Sequence, residues 1–528
     1  MLSRRRTRGL TGLLVGVLVA GAIVAAVIAG SGGNQTAPTT SGLSIVMPPT
    51  PGKAAGRPNI VFVLTDDLSM NLLRFMPHVR AMQRTGLTFE NYFVSDSLCC
   101  PSRASIFTGD LPHDTGVFSN FGPGGGFRAF YRHGDERHTF PLALQRKGYA
   151  TALMGKFLNG YLATSGRGHI SDGSATNVSS RYIPPGFTDW DVGGWGYNEF
   201  NYTLNQNGVL HRFGHAPSDY LTDVISGDGV RFINQAAHAK VPFFLELASF
   251  APHSPYVSAP RDSRDFPGLR APRPPNFDVV PTAAPQWLAG HPPLTRRQIK
   301  KINSAFRRRA QSVQAVDRMI GTIERTLAAD GLSGNTYLIF SSDNGLHTGE
   351  YRLMPGKLTA FDTDIHVPLV VVGPGVPAGA KTRAMSENID LASTFAAIAG
   401  TRFRSDGRSL LGLIHGHSIA NWPNAILIEH HGGAMTPRDP DFQQSPSGNP
   451  TTYEAMRTHQ FLYVEYADAE REFYNLRTDP FELHNLAGEL TARQLARLHR
   501  ELSRLERCRG ARRCAAAMHV APVNTGAS

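Results

Sequence analysis

Apolar runs that end in acidic or amide residues are the feature that most constrains the fold of this chain. Residues 59–67 (NIVFVLTDD) and 336–344 (TYLIFSSDN) both show this pattern. Continuous runs of this kind are typical of strands buried on both faces of a parallel-type sheet. Segments of helical periodicity lie between such strands, so we predict an α/β core in which helices cover a large sheet.

The same patterns predict the individual elements. The predicted helices cover residues 77–85, 139–147, 219–237 and 303–330. Beyond the first strand, the predicted strands cover residues 149–154, 242–250, 336–342, 368–372, 425–429 and 461–466. Two Gly- and Pro-rich stretches, 165–216 and 252–298, are predicted as long loops that either border a functional site or are surface insertions.

The order of these patterns predicts the organisation of the chain. Residues 1–30 combine four arginines with a long apolar run, which indicates a signal peptide or a signal anchor. Residues 31–56 are rich in Gly, Ser, Thr and Pro and are predicted to be a disordered linker. The main domain is predicted over residues 57–415, and residues 416–528, with short strands and an Arg-rich final helix, are predicted to form a C-terminal subdomain.

Positive charge is concentrated at the two ends of the chain. The formal net charge is +11, and most of it comes from the N-terminal arginines and from residues 493–513, where eight arginines face two glutamates. A basic segment of this kind is either a solvated helix face or a contact for an acidic partner. Because no nucleic-acid-binding motif accompanies it, we expect a solvated face and no nucleic-acid partner.

Residues 99–109 (CCPSRASIFTG) carry the strongest chemical signal in the chain. Pro101 suits the first turn of a helix, where a backbone N–H is not needed. Cys99 is therefore predicted just before a helix N-terminus, where backbone N–H groups and the helix dipole favour an anion such as sulfate. Two buried structural thiols before an ordinary helix are the alternative interpretation.

The spacing Cys99-x-Pro101-x-Arg103 resembles the signature of the sulfatase family. With the motifs described below, the resemblance runs from about Asn59 to Cys514. In that family a separate formylglycine-generating enzyme oxidises the first cysteine to formylglycine, which implies this modification at Cys99. The resemblance also implies that Arg103 holds the hydrated aldehyde.

The resemblance also implies a divalent metal site at the ends of the two apolar runs. The ligands would be the residues that follow those runs, together with the modified cysteine: Asp66, Asp67, Asp343, Asn344 and Cys99. Hard oxygen ligands suit calcium or magnesium better than zinc, and the resemblance favours calcium over magnesium. Taken singly, Asp-Asp and Asp-Asn-Gly are common turns, so the argument depends on their order around the cysteine motif.

Three further cationic positions match the family residue by residue. Lys156 follows a predicted strand, as the active-site lysine of the family does, and Lys357 lies where a second sulfate-binding lysine is expected. His253 follows the predicted strand 242–250, at the place of a catalytic histidine that also binds substrate. His347, on the loop after the metal ligands, is our candidate for substrate recognition. An isolated lysine is usually solvated, and an isolated histidine is usually structural.

One residue near Lys156 differs from the pattern of many arylsulfatases, and this difference indicates which branch of the family the chain resembles. Many arylsulfatases carry a histidine two residues after the first lysine, whereas this chain has Leu158. Segments such as 201–204 (NYTL), 219–224 (DYLTDV) and 342–349 (SDNGLHTG) instead resemble the N-acetylglucosamine-6-sulfatase branch and the heparan endosulfatases. The implied substrate is a sulfated sugar such as glucosamine 6-sulfate. A fold does not fix a substrate, so a broad arylsulfatase or a phosphodiesterase or phosphonate hydrolase of the same superfamily remains the alternative.

The resemblance implies an alkaline-phosphatase-like fold, with a large mixed sheet between helices and a small C-terminal antiparallel sheet and helix. In the implied mechanism, one hydroxyl of the formylglycine hydrate attacks sulfur, and His253, assisted by Lys357, protonates the departing alcohol. The second hydroxyl then loses its proton and sulfate leaves. A non-enzymatic binding protein is disfavoured, because none of the expected nucleophile and ligand positions is lost.

The cysteines and the N-terminus together predict the compartment. Cys508 and Cys514 are six residues apart and would form a small disulfide loop in an oxidising compartment. The N-terminal segment predicts export, so we expect an extracytoplasmic protein that is secreted or anchored to the membrane by that segment. The expected partners are a sulfated sugar or aryl sulfate and, during maturation, the formylglycine-generating enzyme.

Overall fold

A ten-stranded mixed sheet forms the centre of the computed structural model, which describes residues 47, 56–161, 178–432, 439–443 and 445–523. The predicted N-terminal segment (1–30) and nearly all of the predicted linker (31–56) lie outside the described residues. The strands are β1 (Asn59–Thr65), β2 (Leu87–Phe89), β3 (Tyr92–Phe93), β4 (Ala150–Lys156), β5 (Asp189–Gly193), β6 (Thr203–Gln206), β7 (Val209–Arg212), β8 (Phe243–Ala248), β9 (Thr336–Ser342), β10 (Leu369–Val372), β11 (Ala380–Thr382), β12 (Ser386–Glu387), β13 (Ala425–His430), β14 (Tyr453–Thr458), β15 (Phe461–Tyr466) and β16 (Arg471–Asn475).

Helices cover both faces of this sheet. They are α1 (Pro77–Thr85), α2 (Cys99–Thr108), α3 (Pro112–Thr115), α4 (Gly126–His133), α5 (Phe140–Gln145), α6 (Leu221–Ala239), α7 (Gln286–Ala289), α8 (Arg296–Ala329), α9 (Asp362–Ile365), α10 (Asp390–Ile398), α11 (Leu411–Ile414), α12 (Ala492–Leu505) and α13 (Ala511–Ala517). Residues 45–528 form one compact unit. No helix in the described ranges has the length and apolarity needed to cross a bilayer.

The sheet has a parallel centre. The strand order is β11-β2-β10-β9-β1-β8-β4-β5-β6-β7, and the five strands from β9 to β5 run parallel to one another. Because parallel neighbours end at the same edge, the residues that follow β1, β4, β8 and β9 are brought together there. The predicted α/β fold with a large mixed sheet is confirmed.

Alternate residues of the central strands enter two separate cores. From β1, Ile60, Phe62 and Leu64 pack with the aromatic and aliphatic side chains of α2, α5 and α10. Val61 and Val63 face the other side and pack with α1, α6 and α8. This alternation, with both faces buried, explains why β1 is apolar at nearly every position.

A four-stranded antiparallel sheet lies near the C-terminus, in the order β13-β14-β15-β16. One face contributes Ile428, Leu462 and similar residues to the main core. The opposite face packs against the leucines of α12 in a separate core. The predicted small C-terminal sheet and helix are thus present, whereas the boundary predicted at residues 415–416 remains a prediction.

Three sequence-based element predictions need correction. The stretch 165–216, predicted as a loop, contributes β5, β6 and β7 to the main sheet. The long helix α8 begins at Arg296, before the predicted residue 303, because Thr295 and Gln298 cap its N-terminus reciprocally. Cys99 is the first residue of α2, not the residue before the helix.

Candidate active site

Four strands of the parallel centre deliver polar residues to one edge of the sheet. Asp66 and Asp67 follow β1, and Asp343 and Asn344 follow β9, the strand paired in parallel with β1. Both predicted ligand pairs are therefore brought together at one edge of the sheet. The backbone N–H of Asp67 donates to Asp343 Oδ1 at 3.2 Å, which holds the two strand ends in contact.

Cys99 lies against this cluster at the start of α2. Its thiol donates to Asp66 Oδ1 at 3.1 Å, and Lys357 Nζ donates to its sulfur at 2.9 Å. The side chain is fully buried. Burial, reinforced by the nearby Asp441 and Asp66 carboxylates, raises the pKa of the Cys99 thiol well above its usual value, against the opposing effect of the lysines. The unmodified residue is therefore a neutral thiol.

The oxygen atoms of the cluster fit a divalent cation. One ligand atom from each of Asp66, Asp67, Cys99 and His253 lies within 4.8 Å of the others. In the described part of the chain, no group donates a hydrogen bond to the buried Oδ1 of Asn344. A buried carbonyl without a partner is costly, and a bound cation would satisfy it. The carboxylate oxygens of Asp66 and Asp67 and the amide oxygen of Asn344 are hard donors, which suit calcium or magnesium.

Lys156 is the last residue of β4 and reaches the same edge. Its Nζ donates to Asp66 Oδ2 at 2.5 Å, and the side chain is buried. Burial lowers the pKa of Lys156, but Asp66, Cys99 and Tyr197 together outweigh burial and raise this pKa well above its usual value. The preceding Gly155 has a φ of +105°, and a Cβ there would lie 2.0 Å from the carbonyl oxygen of Ala248. Glycine is therefore required for this close approach of β4 and β8.

Arg103 contacts the metal-ligand set instead of the thiol. Its Nε donates to Asp343 Oδ2 at 2.7 Å, and one terminal nitrogen donates to the carbonyl of Lys156 at 3.1 Å. Burial raises the pKa of Asp343, but Arg103 and the two lysines outweigh burial and lower this pKa. The geometry thus gives Arg103 the role of orienting Asp343. Its second terminal nitrogen is buried and has no hydrogen-bond partner among the described residues, and the predicted hold on an aldehyde hydrate stays a prediction.

The Nε2 atom of His253 faces the carboxylates of the cluster. Its Nδ1 donates to the carbonyl of Ser254 at 2.6 Å, and its Nε2 lies 2.6 Å from Asp441 Oδ1 and 3.6 Å from Asp67 Oδ2. Burial lowers the pKa of His253, but the carboxylates of Asp67 and Asp441 outweigh burial and raise it to about 9. The imidazole is therefore positively charged at neutral pH and carries a proton at Nε2.

Asp441 is the site residue that the sequence analysis missed. Its Oδ1 lies 2.6 Å from both Lys357 Nζ and His253 Nε2, and its Oδ2 accepts a hydrogen bond from Asn120 at 2.5 Å. Burial raises the pKa of Asp441, but Lys357 and His253 outweigh burial and lower it well below its usual range. The local sequence Asp-Pro-Asp resembles an ordinary turn, so no signal there identified a site residue.

His347 lies apart from the nucleophile cluster. Its Nδ1 is 3.0 Å from both carboxylate oxygens of Asp364, and its Nε2 is 3.0 Å from the carbonyl of Ser447. The side chain is fully buried. Both ring nitrogens are engaged with the protein and hold the loop after Asn344, and the predicted contact with substrate stays a prediction.

A cavity of about 720 Å³ opens beside the cluster. Its lining includes Leu98 and Leu358, the sequence neighbours of Cys99 and Lys357, together with Asn120, His430 and Phe442. This volume lies in the range of small-molecule sites. The mixture of apolar, aromatic and amide groups provides both stacking surfaces and hydrogen-bond partners for a ligand whose reacting group would sit at Cys99.

Comparison with known families matches nearly the whole described chain. Residues 58–401 match the family model described as Sulfatase, and residues 349–508 match the model described as N-sulphoglucosamine sulphohydrolase, C-terminal. Human N-acetylglucosamine-6-sulfatase is 34% identical over 493 residues, covering 87% of this chain and 86% of that protein. The extracellular sulfatase SULF-1 homolog of Drosophila melanogaster is 33% identical over 395 residues, covering 72% of this chain and 34% of that protein.

Solved structures show the same fold. A protein solved in complex with its substrate D-glucosamine-2-N,6-O-disulfate superposes with a TM-score of 0.65. The match covers 85% of this chain and 97% of that chain, at 22% sequence identity. At this level of identity the likeness concerns the architecture alone.

Proposed function

The chain belongs to the sulfatase family and is a sulfuric ester hydrolase, and from this premise we propose that its substrate is a sulfated sugar carrying glucosamine 6-sulfate. The observation that carries the proposed chemistry is the position of Cys99 between Asp66 Oδ1, at 3.1 Å, and Lys357 Nζ, at 2.9 Å. A nucleophile at this position lies beside carboxylates that can hold a metal and beside lysines that can bind sulfate oxygens.

We propose that Cys99 acts after oxidation to formylglycine by a separate formylglycine-generating enzyme. The burial that raises the pKa of its thiol supports this proposal. A thiol of high pKa contains little thiolate and is a poor nucleophile. The hydrated aldehyde supplies hydroxyl groups at the same position, at the first turn of α2, where the helix dipole favours an anion.

Asp66, Asp67, Asp343 and Asn344 would hold the metal, for which we propose calcium before magnesium. When bound, such an ion acts as a Lewis acid that lowers the pKa of a coordinated hydroxyl and offsets the charge of sulfate. Arg103 keeps Asp343 oriented towards the cluster through its 2.7 Å contact. The Oδ1 of Asn344, to which none of the described residues donates a hydrogen bond, would supply the neutral ligand of the set.

The cationic side chains bind the sulfate group and move the proton. Lys156 and Lys357 contact the nonbridging sulfuryl oxygens, a preorganised arrangement that stabilises developing negative charge. His253 holds a proton at Nε2 and delivers it to the oxygen of the departing alcohol. In the absence of substrate, Asp441 Oδ1 accepts from both His253 and Lys357, so a sulfate group replaces this carboxylate as their partner.

The cavity beside Cys99 supports a sugar as the alcohol. Aromatic surfaces such as Phe442 suit the apolar face of a sugar ring, and His430, whose Nδ1 has no partner among the described residues, offers one for a hydroxyl group. A site that hydrogen-bonds such hydroxyls rejects analogues that lack them, because its polar groups are then left unpaired. The N-acetylglucosamine-6-sulfatase relative favours the 6-sulfated amino sugar over an aryl sulfate.

We further propose that the protein works outside the cytoplasm, either secreted or held to the membrane by its N-terminal segment. Cys508 and Cys514 are joined by a disulfide, and disulfides are typical of oxidising compartments. Relatives include extracellular sulfatases. Localisation of a tagged full-length chain, with and without residues 1–30, tests this assignment.

A substrate comparison tests the proposed activity. Protein co-produced with the formylglycine-generating enzyme should show a higher kcat/KM on glucosamine 6-sulfate than on phenyl sulfate, although phenol is the more acidic leaving group. A phosphodiester and a phosphonate monoester, the substrates of the alternative activity within the superfamily, should be poorer still. Preference for an aryl sulfate would refute the sugar assignment, and preference for a phosphorus ester would refute the sulfatase activity.

A further inference from the structure

The solvent-facing side of α12 carries an unbroken row of arginines. Arg493, Arg497, Arg500, Arg504 and Arg507 follow one another at intervals of four, three, four and three residues. Residues at these intervals lie on one side of a helix, which rises 1.5 Å per residue. We call these five residues the arginine row; it extends for about 20 Å along the helix and just past its end.

The opposite side of α12 fixes the orientation of the arginine row. Leu498, Leu502 and Leu505 are fully buried against the outer face of the small C-terminal sheet. Arg493, Arg500, Arg504 and Arg507 are exposed, and Arg497 is half-buried. The helix therefore cannot turn its arginines inwards without exposing its leucines.

The arginine row has few acidic neighbours. Arg504 contacts Glu501 at 3.2 Å, while Arg497 and Arg507 donate to backbone carbonyls. Among the described residues, no carboxylate lies within ion-pair distance of Arg493 or Arg500. Like charges spaced three and four residues apart repel and destabilise a helix. An ordinary solvated helix gains stability by alternating signs, so this row is costly unless a polyanion neutralises it.

We propose that the arginine row binds an extended sulfated polysaccharide, so that the polymer is held on the protein while one of its sulfate esters is hydrolysed elsewhere. The proposal rests on the proposed function, which makes a sulfated sugar the substrate. Arginine suits this partner because its planar guanidinium donates two parallel hydrogen bonds to an oxyanion such as sulfate. A row about 20 Å long spans several sugar units of such a polymer, well beyond one residue in the catalytic cavity.

A charge-matched pair of variants tests the proposal. The test variant is Arg493→Gln, Arg500→Gln and Arg504→Gln, and the control variant is Arg296→Gln, Arg297→Gln and Lys300→Gln at the exposed start of α8. Each variant loses three positive charges, and glutamine retains good helix propensity. Binding to immobilised heparin and to chemically desulfated heparin is measured over a range of salt concentrations, after thermal unfolding confirms that both variants fold.

The test variant should bind heparin about tenfold more weakly at 0.1 M salt, with a shallower dependence of affinity on salt concentration. The control variant should bind like the parent protein, and desulfated heparin should bind weakly to all three. On a long sulfated polymer, KM of the test variant should rise while kcat is unchanged. On monomeric glucosamine 6-sulfate both constants should equal those of the parent protein.

Three results would overturn the proposal: unchanged heparin affinity in the test variant, equal losses in both variants, or equal binding of desulfated heparin. The parent protein could also bind duplex DNA or phosphatidylglycerol vesicles more tightly than heparin and lose this binding in the test variant. That result would assign the arginine row to a different class of partner and would also refute the proposal. Binding is measured without turnover. Inactivity on glucosamine 6-sulfate would therefore refute the proposed function while the binding result stands.

Discussion

Charged side chains around Cys99 balance one another in a fully buried cluster. The acidic members are Asp66, Asp67, Asp343 and Asp441, and the basic members are Lys156, Lys357, Arg103 and His253. Buried charges are tolerated only when they are paired, and removal of one partner leaves the other uncompensated. The acidic and basic members alternate, because Lys156 contacts Asp66 and Lys357 contacts Asp67 and Asp441, so the cluster offers partners to both a cation and an anion.

His253 should matter most for substrates with poor leaving groups. In the variant His253→Ala, no proton is available at the Nε2 position for the departing alcohol. We expect kcat/KM on a sugar sulfate to fall by roughly 10²–10⁴-fold. The leaving group of 4-nitrophenyl sulfate needs no protonation, so on this substrate kcat/KM should fall by about tenfold or less. Equal losses on both substrates would contradict the general-acid role.

Asp441 should compete with sulfate for the same two cations. Its Oδ1 lies 2.6 Å from Lys357 Nζ and from His253 Nε2. In Asp441→Asn the shape is retained and the negative charge is removed, so inorganic sulfate should inhibit about three- to tenfold more strongly. The inhibition constant for sulfate measures this effect. Weaker or unchanged inhibition would show that Asp441 does not occupy the position of the anion.

Among the helices and strands, those that are marked by a long local sequence pattern could be predicted. The helix over 77–85 and the strand over 336–342 were predicted with the observed bounds, because a proline, a glycine and a continuous apolar run mark them locally. Strand β5 was missed, since it is held by pairing with β4 and by Arg231, which contacts Asp189 and Asp191. Such distant partners leave no local trace in the sequence.

Strand β8 contains a carboxylate that destabilises the fold at high pH. Glu246 is fully buried, and none of the described residues donates a hydrogen bond to either oxygen. Burial raises its pKa to about 8, opposed by Arg103. The folded state therefore binds this proton more tightly than the unfolded state. Its stabilising contribution is complete below about pH 4, the ordinary range of a glutamate, and is lost as pH rises towards 8.

The variant Glu246→Gln does not titrate at this position. Its free energy of unfolding should exceed that of the parent protein by about 1–3 kcal/mol at pH 8. The difference should shrink as pH falls towards 4. Denaturant unfolding at several pH values measures it, and a difference that is independent of pH would contradict the assignment of this raised pKa.

At the scale of the whole molecule, the site depends on pairing between distant parts of the chain. The family resemblance predicted six site residues from their order in the sequence: Asp66, Cys99, Lys156, His253, Asp343 and Lys357. The parallel sheet explains why they meet at one edge. Asp441 belongs to the segment 439–443, which reaches the cluster through contacts with Asn120, Lys357 and His253. Only the three-dimensional structure reveals this approach.

Metal binding should stabilise the whole molecule, because it joins the ends of β1 and β9. After treatment with a chelator, the protein should lose activity, and added calcium should restore activity and raise the melting temperature. Asp343→Ala should abolish this thermal response, whereas Asp330→Ala, at an exposed position at the end of α8, should preserve it. Stoichiometric metal retained by the Asp66→Ala, Asp343→Ala double variant would contradict the shared site.

Peptide mass spectrometry of active protein tests the central claim most directly. Protein co-produced with the formylglycine-generating enzyme should carry formylglycine at residue 99 and an unmodified cysteine at residue 100. Cys99→Ala should be inactive on glucosamine 6-sulfate, whereas Cys100→Ala should retain activity, since the Cys100 side chain packs in the main core. Full activity in Cys99→Ala, or an aldehyde found only at residue 100, would contradict the account.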